Sequence, residues 1–198
     1  MNDADISTVD WWNLSSGEKP TANKLAVKLE SPSLLHKSDQ QAVLLGVAAD
    51  DANSSRARLE GIAKELSLDH YQIIAQQMVD DSKLELLVGA LVDDTVGPVL
   101  TVGLGGITAE LQKQVVHALC PFNLDIAKQL IDQLKIGPLF EGYRGQPALD
   151  DSLFQLLVNV SRWVYDHRDR LKELDLNPVF VRESGKPALV GDALAIFE

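Results

Sequence analysis

The sequence predicts an α+β or mixed α/β fold rather than a pure parallel sheet. Short Val- and Leu-rich runs outnumber helical patterns along its 198 residues. Hairpin-like polar turns alternate with helical connections. Neither "GxGxxG" nor "GxxxxGK[ST]" occurs, so the two common nucleotide fingerprints of parallel α/β folds are missing.

Taken in order, residues 1–23 read as an irregular arm, whose Trp11 and Trp12 are expected to dock onto the body. "KLAVKLE" (Lys24–Glu30) and "AVLLGVA" (42–48) read as strands rich in Val and Leu. In "DDANSSRARLEGIAKELSL", Leu59, Ile62, Ala63 and Leu66 recur at helical spacing, and Asn53 or Ser54 is placed to cap the start. "YQIIAQQMV" (71–79) and "LELLVGALVDD" (84–94) read as strands joined by the polar turn "DDSK". "GPVLTVGLGG" (97–106) reads as a buried strand ending in glycines, and "ITAELQKQVVHALCP" turns from helical to strand-like at "VVHAL". "NLDIAKQLIDQLK" (123–135) is amphipathic, with Ile126, Leu130, Ile131 and Leu134 on one face. A longer helix lies within 149–174, and "LDLNPVFVR" and "PALVGDALAIF" close the chain as two strands joined by "ESGK".

Composition narrows the function. Hydrophobic residues make up 45% and charged residues 24%, as in ordinary globular proteins. A net charge of -11 argues against a general nucleic-acid binder, which needs Lys and Arg clusters. No run approaches the roughly 20 apolar residues of a membrane span. The N-terminus carries acids where a signal peptide needs positive charge. One cysteine, Cys120, cannot form an internal disulfide. A soluble, cytoplasmic protein is therefore expected.

Three stretches carry candidate chemistry. In "ELDLNP", Asp175 and Asn177 are two apart in a strand and share a face. Asp192, on the next strand, can reach that face if "ESGK" is the hairpin turn. Such oxygen donors suit Mg²⁺, though acids and Asn at strand ends are more often solvated or capping. In "GLGGITAE", Gly105 and Gly106 let backbone N–H groups approach an anion, and Glu110 falls near a helix start; a tight structural turn uses the same glycines. "SPSLLHKSD" places His36, Lys37 and Asp39 between two strands, more chemistry than a turn needs. Lys28, inside an apolar strand, either snorkels outward or meets a phosphate. His70, His117 and His167 read as structural.

"KLESPSLLHKSD", "ELLVGALVDDTVGPVLTVGLGGITAE", "LFEGYRGQP" and "ELDLNPVFV…GD" occur in this order. Together they resemble the ATP-grasp part of nucleoside-diphosphate-forming (ADP-forming) acyl-CoA synthetases, with the beta chain of succinyl-CoA synthetase a more distant relative. The resemblance implies an ATP-grasp-like α+β fold, two subdomains around a nucleotide cleft, with a shortened part before Lys28 and the domain spanning 24–198. It implies ATP/ADP and Mg²⁺ as cofactors, phosphoryl transfer through a phosphohistidine, and a CoA-binding alpha-type subunit as partner, with a homo-oligomer also open. By matching position, Lys28, Glu85, Gly105, Gly106, Glu110 and Arg144 would bind nucleotide; Asp175, Asn177 and Asp192 would face the metal; and His36 would relay the phosphoryl group.

The sequence also departs from that pattern. Gln41 and Ala42 stand where the family usually has a Gly-Gly pair, Val92 where it has a basic residue, and Ala118 and Leu194 where it has arginines. "DDSK" replaces a turn that usually holds glycines. Each charge-assisted phosphate contact is worth about 1.5–3 kcal/mol. These departures define an alternative: a degenerate, non-catalytic module that binds a partner, or nucleotide weakly.

Overall fold

The computed structural model describes residues 5–34, 42–106 and 114–198. The chain forms two compact units, one of residues 9–80 and one of residues 81–198 together with 1–8. His36, Lys37, Asp39, Gln41 and Glu110 lie outside the described residues.

The first unit is a four-stranded antiparallel sheet backed by one helix. Its strands are β1 (Trp11–Asn13), β2 (Lys24–Glu30), β3 (Val43–Ala48) and β4 (Gln72–Gln77), in the order β1-β4-β2-β3. Helix α1 (Ala52–Glu65) lies between β3 and β4 in sequence. Leu25, Val27 and Leu29 alternate along β2 and are fully buried with Leu59 and Ala63 of α1 and Ile73 and Ala75 of β4. Each buried leucine contributes about 1.5–3 kcal/mol.

Three details differ from the sequence pattern. The arm is not wholly irregular: Trp12 and Leu14 pack onto this core, while Ile6 packs into the other one. Neither Asn53 nor Ser54 caps α1; the N-cap is Asp51, and the Ser54 hydroxyl donates instead to the Asp51 carbonyl at 2.8 Å. β3 is a sheet edge, and Leu45 of its Leu-rich run is 69% exposed there.

The second unit is a six-stranded antiparallel sheet with two helices on one face. Its strands are β5 (Leu84–Asp93), β6 (Gly97–Leu104), β7 (Val115–Leu119), β8 (Leu171–Val181), β9 (Leu189–Val190) and β10 (Ala193–Phe197). The order is β10-β8-β5-β6-β7, with β9 also on β8. Helices α2 (Leu124–Gln133) and α3 (Ser152–His167) precede β8 in sequence. Asn123 caps α2 by accepting the Ile126 N–H at 3.2 Å, worth about 1 kcal/mol. Leu86, Val88, Ala90, Leu100, Val102, Leu174 and Leu176 bury against these helices. Ser161, fully buried, accepts the Phe122 N–H and donates to the Val158 carbonyl, so α3 anchors the turn before α2 without leaving a polar group unmet.

"DDSK" is not a hairpin turn, because β4 and β5 belong to different sheets. "PALVGDALAIF" is two strands, broken at Gly191 and Asp192. Among the described residues, no helix is long and apolar enough to cross a membrane.

Candidate functional site

In a strand the side chains alternate, so the residues of the larger sheet that do not face its helices share the other face. Strand register then sets out a row across it. Leu194 on β10 lies opposite Asp175 on β8, Asp175 opposite Gly89 on β5, Gly89 opposite Thr101 on β6, and Thr101 opposite His117 on β7. Gly89 has no side chain to cover the carboxylate beside it.

Asp175 is half-buried, and burial pushes its carboxyl above the usual range; Glu173 and then Asp192 push it further the same way. Asp192 is brought close because the Asn177 N–H donates to its carbonyl at 3.1 Å. One Asp192 carboxylate oxygen accepts the Ala193 N–H at 2.9 Å. Asp175 and Asn177 of β8 thus stand near Asp192, in the break between β9 and β10. A carboxylate whose charged form is disfavoured by burial and by neighbouring acids is relieved by a cation, and the donor set, carboxylates plus an amide, is one that Mg²⁺ takes with waters and phosphates. Among the described residues, no three or more His, Cys, Asp or Glu side chains stand together so as to hold a metal ion by themselves.

Glu85 and the glycines form a second group. The Gly105 N–H donates to the Glu85 carbonyl at 2.7 Å. A Cβ on Gly105 would stand 3.0 Å from the backbone carbonyl of Glu85. Gly106 has φ +76°, a conformation glycine adopts freely, and a Cβ there would lie 3.6 Å from a Glu85 carboxylate oxygen. The strand-end turn is therefore closed onto the start of β5.

Arg144 stands in a tight turn, with φ +50° and its guanidinium 5.2 Å from the Tyr143 ring centroid. Among the described residues it makes no hydrogen bond or ion pair to Glu85, the glycines or Asp175. Lys28, in the other unit, is buried at 9% exposure on the face of β2 away from α1, and Glu30 two residues on shares that face. "SPSLLHKSD" is anchored where it is described: the Ser31 hydroxyl donates to the His70 carbonyl at 2.6 Å, and Leu34 and Ala42 are both in the core. Ala42 is fully buried, and its carbonyl accepts the Leu29 N–H at 2.8 Å.

His117, read from the sequence as structural, falls on the same sheet face. It lies in the row of Asp175, three strand spacings or about 14 Å away, too far to share a ligand atom. Its Nδ1 is 2.9 Å from the Thr101 hydroxyl. Alternation within "VVHAL" carried that signal, because His117 falls out of phase with buried Val116.

Residues 18–195 match the family of the ATP-grasp domain. The beta subunit of an ADP-forming acetate–CoA ligase (form II) from Pyrococcus furiosus is 33% identical over 88% of this chain and 75% of its own length. A Methanocaldococcus jannaschii ADP-forming acetate–CoA ligase is 30% identical over 87% of this chain, which spans 25% of that longer protein. A crystal structure of a Pyrococcus horikoshii protein superposes with TM-score 0.85 at 26% identity, over 100% of this chain and 87% of the other. An acetyl-coenzyme A synthetase from Ca. Korarchaeum cryptofilum has the same fold, with TM-score 0.82 at 23% identity over 100% and 89% of the two chains. The chain belongs to the ATP-grasp family, and its relatives there are the ATP-grasp subunits and domains of ADP-forming acyl-CoA synthetases.

Proposed function

We propose that this chain is the ATP-grasp subunit of an ADP-forming acyl-CoA synthetase and moves a phosphoryl group between ATP/ADP and a phosphohistidine. The observation that carries the reading is the placement of Asp175 against Asp192 and Glu173, beside a glycine that leaves the carboxylate uncovered. Asp175, Asn177 and Asp192 would hold Mg²⁺, which would neutralise charge on the nucleotide phosphates. Gly105 and Gly106 would offer backbone N–H groups to phosphate, with Glu110 the acid of the same nucleotide-binding loop, Lys28 and Arg144 would pair with phosphate oxygens, and Glu85 would meet the adenosine.

His36 would act as the relay. A neutral imidazole nitrogen attacks the γ-phosphorus, the bond to the β–γ bridging oxygen breaks, and ADP leaves with that electron pair. The reverse step regenerates ATP from the phosphoramidate. The name "subunit beta" in the Pyrococcus furiosus relative supports a CoA-binding alpha-type partner that receives the phosphoryl group.

Calorimetry of ATP with Mg²⁺ tests the reading, with Asp192→Ala as the control. Binding that needs Mg²⁺ and weakens at least tenfold in Asp192→Ala is expected. No binding at millimolar ATP would overturn it and leave a non-catalytic module. Incubation with γ-labelled ATP should give acid-labile protein phosphate that His36→Ala lacks.

A further inference from the structure

The edge of the larger sheet at β7 offers a separate docking site. Cys120 N–H donates to the Pro98 carbonyl at 2.8 Å, so residues 98 and 120 form a hydrogen-bonded pair. In an antiparallel ladder these pairs alternate with open ones. Val116 and Ala118 therefore turn their backbone groups toward β6, while Val115, His117 and Leu119 turn theirs outward. The Thr101–His117 side-chain contact agrees, since side chains approach closest across open pairs. Among the described residues, no strand lies beyond β7. Val115 is 48% and Leu119 58% exposed along that edge.

Beside the edge runs a groove of about 730 Å³. Phe122, Ile126 and Leu130 supply apolar wall, and Arg162 of α3 lines it too. Arg162 is exposed and makes no ion pair or hydrogen bond among the described residues. An exposed guanidinium beside an apolar wall suits a carboxylate on an incoming chain.

We propose that an extended segment of a partner protein adds as a strand to β7, placing apolar side chains and a carboxylate in this groove. Backbone hydrogen bonds to the outward groups of His117 and Leu119 would give affinity, and the groove would give selectivity. A second copy of β7 fits less well. Pairing about His117 would present only Val116 and Ala118 to the groove, leaving it largely unfilled, and would add a second Arg162 without a counter-charge. The proposal does not rest on the nucleotide reading.

The test uses the full chain and two probes, acetyl-Thr-Leu-Thr-Glu-Thr-Leu-Thr-amide and the same peptide with Lys for Glu. Binding is read by fluorescence anisotropy and by hydrogen exchange of individual amides. The Glu peptide should protect the His117 and Leu119 amides, and the Lys peptide should bind about tenfold more weakly. Arg162→Glu should invert that preference. Leu119→Pro, which deletes an outward N–H but no bond to β6, should lose binding while melting like the parent. If Leu119→Pro does not fold, the Arg162→Glu preference decides. The proposal fails if neither peptide binds up to millimolar concentration, or if both bind equally. It also fails if protection of these amides rises with protein concentration alone, which would mark a second copy as the occupant.

Discussion

Gly105 donates its N–H to the carbonyl of Glu85 at 2.7 Å, and the two backbones touch with no room for a side chain. A Cβ on Gly105 would meet the Glu85 carbonyl carbon and oxygen at 3.0 Å and its Cβ at 3.2 Å. These are backbone and Cβ atoms, which cannot swing aside. Gly105→Ala should therefore cost about 1–3 kcal/mol in chemical denaturation. It should also weaken nucleotide binding, since it moves Glu85. Gly61→Ala is the opposite control. Gly61 sits within α1 with nothing within 4 Å of its Cβ position, so alanine should stabilise by about 0.5–1 kcal/mol.

Asp175 couples stability to function in the reverse sense. Burial and the charges of Glu173 and Asp192 disfavour its ionised form. Asp175→Asn removes that strain, so without Mg²⁺ the variant should melt slightly higher. The same change should abolish any Mg²⁺-dependent gain in ATP affinity. A variant that melts lower, or binds Mg²⁺–ATP as tightly as the parent, would show that Asp175 is an ordinary strand acid. Thermal melts with and without Mg²⁺, alongside calorimetry, read both effects.

Among the described residues, periodicity made most strands and the three α-helices legible, because an apolar face must be buried whatever lies opposite it. Leu130 and Ile131 of α2 and Leu25, Val27 and Leu29 of β2 are of this kind. Partner choice was less legible. "DDSK" has the composition of a hairpin turn, yet its flanking strands join different sheets, which local sequence does not encode. The break inside "PALVGDALAIF" falls at Gly191, where a Cβ would stand 2.6 Å from the Phe180 ring. That contact depends on a residue 11 positions away on a neighbouring strand. At the candidate site, Asp175 and Asn177 were readable by alternation alone. The row linking Asp175 to His117 needed the register of four strands, β8, β5, β6 and β7.

Acid should loosen the larger unit before neutral pH affects it. Asp150 loses some charge stability to burial, but hydrogen bonds from Ser152 and Gly185 outweigh this and hold its carboxyl below the usual range. The Gly185 N–H reaches it at 2.7 Å and the Ser152 N–H at 3.0 Å, tying the start of α3 to the turn after β8. Asp81 is also lowered, first by its hydrogen bond from Lys186 at 2.8 Å. A depressed carboxylate pKa stabilises the fold above the unfolded value, near 4, and that contribution disappears as pH falls through the folded value. Urea midpoints should therefore stay level down to about pH 5 and decline below 4. Asp150→Asn should flatten that decline more than Asp81→Asn, because the Asp81 pairs are exposed and worth little.

Cys120 should be chemically silent in the folded protein. Burial pushes its thiol up to about 12, and a backbone hydrogen bond with Leu100 offsets this only in part. At pH 8 the thiolate fraction is then roughly 10⁻⁴, and the thiolate is the reactive form. Native protein should react with iodoacetamide at least a hundredfold more slowly than protein in 6 M guanidinium, where the thiol regains a pKa near 8.5. Because Cys120 follows β7 and bonds to Pro98, labelling at neutral pH also reports opening of that edge. Fast native labelling would mean that the β6–β7 pairing opens readily, and Leu119→Pro, which keeps every bond to β6, should then label at the parent's rate.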